Sequence, residues 1–129
     1  MNTWVNLGVI GFGAATGAWL RWGLGLALNP LFAGMPLGTL SANLIGGYLM
    51  GVVLALIAAV PEMSVPMRLM LTTGFLGGLT TFSSFSGEVF HMFQRQDYGW
   101  AMATIALHVC GSLAMTAFGW WCFGALTKA

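Results

Sequence analysis

Gly74-Phe75-Leu76-Gly77-Gly78-Leu79-Thr80-Thr81-Phe82-Ser83-Ser84-Phe85-Ser86-Gly87-Glu88 lies inside an apolar region long enough to cross a bilayer. It reads as a broken membrane helix. Each of its four glycines weakens a helix by about 1 kcal/mol relative to Ala. The Thr and Ser residues after Gly78 offer hydroxyl oxygens to backbone groups that a break leaves unpaired. Lipid satisfies neither a free N–H nor a free C=O, so non-helical backbone at membrane depth survives only buried in protein or lining a polar cavity. The stretch therefore predicts an ion site, with carbonyls pointing out of an unwound Gly77 to Thr80 segment and a new helix starting near Thr81 or Ser83. Carbonyl oxygens coordinate cations, and the positive end of a half-helix attracts anions. The half-helix puts Phe82 and Phe85 three apart on one face, where their partly positive ring edges face a passing anion. The plainer alternative is that the glycines only let helices pack closely.

Outward from this stretch the composition sets the class. The chain has 129 residues, 58% hydrophobic and 5% charged, against about 25% charged in soluble domains. It cannot cover a water-facing surface, and it reads as an integral membrane protein. No charged residue stands between Arg21 and Glu62 or between Asp97 and Lys128, and either gap holds a transmembrane helix of about 20 residues. A formal net charge of +1 without a Lys/Arg cluster excludes nucleic acid as a partner. Cys110 and Cys122 match no metal or redox spacing and read as small hydrophobes. The expected architecture is all-α: one transmembrane domain over residues 1–129, with four membrane helices at about 4–28, 37–60, 67–96 and 100–126, the third broken mid-membrane.

Gly77-Gly78-Leu79-Thr80-Thr81-Phe82-Ser83-Ser84-Phe85-Ser86, with Glu88 two residues on, closely resembles the signature of the Fluc (CrcB) family of fluoride channels. The resemblance extends through Leu20-Arg21-Trp22, Gly38-Thr39-Leu40-Ser41-Ala42-Asn43 and His108 to Ser112, nearly the whole chain. It implies a fluoride-selective channel in the cell's inner (plasma) membrane, passively exporting F⁻, with two pathways per dimer and a structural Na⁺ that is not transported.

Each helix carries polar residues whose placement asks for a reason. Gly13 and Gly17 form a close-packing seam on the first helix. Arg21, near its far end, either snorkels to the headgroups or lines a vestibule that concentrates anions. Asn43 on the second helix either bonds a neighbouring helix or faces a pore, and the resemblance favours the pore. Glu88, His91 and Arg95 share one face of the third; Glu88 is a functional-site candidate or a surface ion-pair partner of His91 or Arg95. Thr104, His108, Ser112 and Thr116 recur every fourth residue along the last helix, either as interhelical hydrogen-bond partners or as a track of donors. The expected fluoride path comprises Asn43, Ser83, Ser84, His108, Ser112 and Thr116 as donors and Phe82 and Phe85 as ring edges, with Glu88 and Arg21 beside it. Six tryptophans near the helix ends read as an aromatic belt at the lipid interface.

Four helices put both termini and the second loop on one side with Arg68 and Lys128, and Arg21 and Arg95 on the other. That balance gives no preferred orientation. Two oppositely inserted copies would form an antiparallel homodimer, in which the Gly77 and Thr80 carbonyls of both copies would meet around one cation. Hard oxygens suit Na⁺, Mg²⁺ or Ca²⁺, and the resemblance implies Na⁺. Two other functions fit four apolar helices. A proton-coupled small multidrug exporter would need Glu88 as its exchanging carboxylate, with drug-dependent proton flux lost in Glu88→Gln. A non-conducting structural subunit would need a partner complex for stability.

Overall fold

The computed structural model describes residues 2–128, which are all-helical, with no strand among them. Helix α1 spans Thr3–Leu28 and opens on Asn2, whose side chain accepts from the Trp4 and Val5 N–H groups. The single 3-10 turn Asn29–Leu31 follows, and α2 runs over Leu37–Ala59. The third run is composite: α3 (Val65–Leu69), a π-helix (Met70–Leu76), α4 (Gly77–Leu79) and α5 (Phe82–Gln94). The run ends where Gln96 adopts a φ of 62°, reversing the chain into α6 (Tyr98–Lys128). Helices α2 and α6 are each long and apolar enough to cross a membrane.

The third run breaks, over a shorter span than the glycines suggested. Only Thr80 (φ −86°, ψ 156°) and Thr81 (φ −150°, ψ 118°) are extended, while Gly77, Gly78 and Leu79 stay helical. The expectation of unwound backbone from Gly77 onward is therefore corrected. The reason lies in packing: a Cβ on Gly78 would collide with the Ala14 carbonyl oxygen, so this glycine is small to let a neighbouring helix approach.

The same device recurs along both helix seams. A Cβ on Gly13 would stand 2.6 Å from the Met70 carbonyl oxygen, and one on Gly74 2.9 Å from that of Ile10. One on Gly17 would overlap the Phe75 oxygen. Helix α1 thus lies backbone to backbone on the π-helix and α4, as small-residue faces allow in lipid. Helices α2 and α6 meet likewise, with Gly47 against Ser112, Gly51 against Thr116 and Gly119 against Tyr48. Two apolar clusters fill what remains, one of Ala42, Val53, Leu76 and Leu79, the other of Met35, Phe85, Val89, Met92 and Ala101. Outside these the surface is aromatic and aliphatic, and all six tryptophans are exposed. Such a surface suits hydrocarbon rather than water.

Gly17→Leu is expected to destabilise the fold by about 1–3 kcal/mol, the usual cost of overpacking, because the obstacle is backbone. Gly8→Leu, facing open space, should be near neutral. Thermal unfolding midpoints of the two purified variants in detergent make the comparison.

Candidate functional site: a polar junction at the helix break

A break strands backbone groups, and four side chains take them up. Thr80 leaves its N–H on the Leu76 carbonyl (3.0 Å) and adds its hydroxyl to the same oxygen (2.8 Å). Thr81 caps α5, its Oγ1 accepting the Ser84 N–H at 3.1 Å. Asn43, reaching across from α2, accepts the Thr81 N–H on Oδ1 (2.8 Å) and donates Nδ2–H to the Thr81 carbonyl (3.1 Å). Arg21 donates Nε–H to the Gly78 carbonyl at 3.1 Å, a cation at the C-terminal end of a helical segment, where the dipole favours it.

Asn43 also fixes its histidine neighbour. With Oδ1 turned to Thr81, Nδ2 faces His108 Nδ1 at 2.9 Å, and since Nδ2 only donates, Nδ1 accepts and the ring proton sits on Nε2. That Nε2 is buried without a protein partner. Phe85 meets the His108 ring edge to face, centroids 4.5 Å apart at 86°. Phe82 stacks on Phe85 at 5.5 Å and 15°.

These groups line a cavity of about 500 Å³. It brings together Asn43, Phe82, Phe85, His108, Ser112 and Thr116 with Gly77 and Thr80. The other expected site residues lie elsewhere. Ser84, Glu88 and Arg21 line a separate cavity of about 380 Å³ with Thr39. Ser83 touches neither and bonds only Thr81 Oγ1, at 3.4 Å. Asn43 takes the first of its two readings, bonding the break from across on α2, and it also lines this cavity. Arg21 is held inward by Gly78 and does not simply snorkel. Glu88 accepts from the Thr39 hydroxyl on Oε1 at 2.5 Å, and Arg95 pairs with Asp97 (3.4 Å) instead. On α6 the Thr116 hydroxyl is spent on the Gly47 and Ser112 carbonyls (2.9 and 3.0 Å), and Thr104 is buried against Met92 Sδ (3.5 Å).

Thr39 and Thr81 were missing from the expected site. Thr39 stands one helical turn before Asn43, and its partner Glu88 is 49 residues away; scanning the Asn43 face would have found it. Among the described residues no three His, Cys, Asp or Glu side chains gather as metal ligands. The donors that suit a hard cation are the neutral carbonyls at the break.

The fold and cavity define a small helical membrane protein with an uncharged, aromatic-edged chamber beside a helix break. Residues 8–120 match the family profile for CrcB-like protein, Camphor Resistance (CrcB), and the chain belongs to this family. A protein of Aromatoleum aromaticum, "Fluoride-specific ion channel FluC", is 60% identical over 116 residues, covering 90% of this chain and 88% of its own. Proteins of the same description from Pseudomonas putida (58% identical over 114 residues, 88% of this chain and 90% of its own) and Chromohalobacter salexigens (54% over 125, 97% and 95%) are similar throughout. The family is thus one of ion channels and not of enzymes.

Arg21→Gln is expected to cost about 1.5 kcal/mol, the scale of a hydrogen bond to a charged group. Arg21→Lys should recover only part, because an ammonium lacks the directed Nε–H. Unfolding midpoints in detergent measure both.

Proposed function

We propose that this chain is a fluoride-selective channel of the cell's inner membrane that lets F⁻ leave passively down its gradient. The observation that carries the reading is the cavity at the break: it is lined by donors and aromatic rings with no charged side chain among them. Fluoride is small, strongly hydrated and a strong acceptor, so a path must replace its water with donors while binding weakly enough to release it. A charged side chain in direct contact would bind the ion too tightly to release it, whereas ring edges and neutral donors hold it loosely.

Hydrogen-bond accounting narrows the donors. Both Asn43 amide hydrogens go to Thr81 and His108, and the Thr116 hydroxyl goes to carbonyls. The His108 Nε2–H is left over. We assign the central donation to it and to the Ser112 hydroxyl, one turn along α6, with Phe82 and Phe85 presenting ring edges. The separate cavity of Arg21, Ser84 and Glu88 serves as the vestibule, where the guanidinium raises local anion concentration.

Phe82 is 78% exposed although it edges the cavity. A second copy covering that rim completes two paths, and the even charge balance supports opposite insertion of the two copies. In that antiparallel homodimer the Gly77 and Thr80 carbonyls of both copies hold one Na⁺. The donor set fits a hard monovalent ion, being neutral oxygens without carboxylates. Bound there, Na⁺ supplies a fixed positive charge that lowers the cost of bringing anions inside.

Fluoride efflux from liposomes holding the purified chain, followed with a fluoride electrode under valinomycin, tests the reading. Fast F⁻ release without Cl⁻ release is expected, and a folded dimer that releases neither overturns it. Phe82→Ile should lower F⁻ flux at least about tenfold, on the scale of one lost ion contact of about 1.4 kcal/mol, with the dimer intact by size-exclusion chromatography. Unchanged flux would remove the ring edges from the path.

A further inference from the structure

We propose that Asn43 is a positioning residue for the cation site: by capturing the Thr81 N–H it frees the Gly77 carbonyl to act as a ligand. The inference rests on the cation reading above. In an unbroken α-helix the Thr81 N–H bonds the carbonyl four residues back, that of Gly77. Here it goes to Asn43 Oδ1 at 2.8 Å. A second diversion follows one turn on, where the Ser84 N–H goes to Thr81 Oγ1 at 3.1 Å and not back to the Thr80 carbonyl.

Three of the neighbouring carbonyls are occupied. That of Leu76 accepts from Thr80 twice, that of Gly78 from Arg21, and that of Thr81 from Asn43 Nδ2. Gly77 and Thr80 are thus the two positions whose helical donors side chains have taken. Asn43 is suited to the task because one planar amide grips both the N–H and the C=O of Thr81, holding that residue extended at φ −150° and ψ 118°. Its second Nδ2 hydrogen is anchored on His108. The amide cannot swing toward a passing ion without returning the Thr81 N–H to Gly77. Asn43 therefore acts on the path through the cation ligands rather than as a mobile donor.

The test reads Na⁺ binding apart from flux. Thermal unfolding of the purified full-chain dimer is followed by tryptophan fluorescence as Na⁺ replaces N-methyl-D-glucamine at constant ionic strength. A bound cation raises the midpoint with ligand concentration. For Asn43→Leu, which keeps the branching and the side-chain heavy-atom count but removes the amide, the Na⁺ concentration needed for a given rise should increase at least about tenfold, as for other residues that orient metal ligands. A merely structural role would lower the midpoint at every Na⁺ concentration without moving that dependence. Phe82→Ile, on the path but away from the carbonyls, should keep the wild-type Na⁺ dependence. Asn43→Ser, too short to span both groups of Thr81, is the second variant and should shift as Leu does. Wild-type Na⁺ dependence in either Asn43 variant overturns this inference alone. No Na⁺ dependence in the wild type overturns the cation reading itself.

Discussion

Two extended residues in an apolar helical protein impose the constraint that the rest of the structure answers. Each backbone group that Thr80 and Thr81 take out of the helical ladder must find a partner, because the surrounding lipid has none to offer and an unpartnered group costs several kcal/mol (on the order of 2–7). The partners come from three directions: Arg21 from α1, Asn43 from α2, and the two threonines themselves. Short polar side chains reach only if their helices stand unusually close. The glycine seams bring them there, Gly13 and Gly17 against the π-helix and α4, and Gly46 against the Thr80 methyl. Close packing and polar satisfaction are therefore one requirement met twice.

The electrostatic character of the junction follows from the same economy. Every group that repairs the break within the cavity is neutral, so the chamber is polar without being charged. Arg21 and Glu88 are kept to a neighbouring cavity, Arg21 by the Gly78 carbonyl and Glu88 by Thr39. A charge held in a neighbouring cavity can attract an ion without binding it.

What could be read from the residues alone was what composition and period encode. Glycines and hydroxyls in an apolar run announced a broken helix, Gly13 and Gly17 announced a seam, and the four-residue spacing of His108, Ser112 and Thr116 put them on one face. The breadth of the break was misjudged because glycine serves both to loosen a helix and to admit a neighbour; only the position of Ala14 decides that Gly78 does the second. Tertiary hydrogen bonds were out of reach for a related reason. Nothing local distinguishes Thr39, whose partner is 49 residues on, or tells that the Thr116 hydroxyl is spent on a carbonyl 69 residues away. The π-helix left no mark either, since a hydrogen bond reaching back five residues has no composition of its own.

That π-helix bears on how this protein can change over evolutionary time. A π-turn is an α-helix that has absorbed an extra residue, and each residue added or removed rotates everything beyond it by about 100°. In Met70–Leu76 the wider winding sets the phase in which Gly74 and Gly78 meet α1 and Thr80 meets α2. Point replacements that keep the small faces leave that phase alone. Gaining or losing one residue would turn the glycines away from their seam and the break away from Asn43 together. The length of this segment should be held more tightly through descent than the identity of most residues in it.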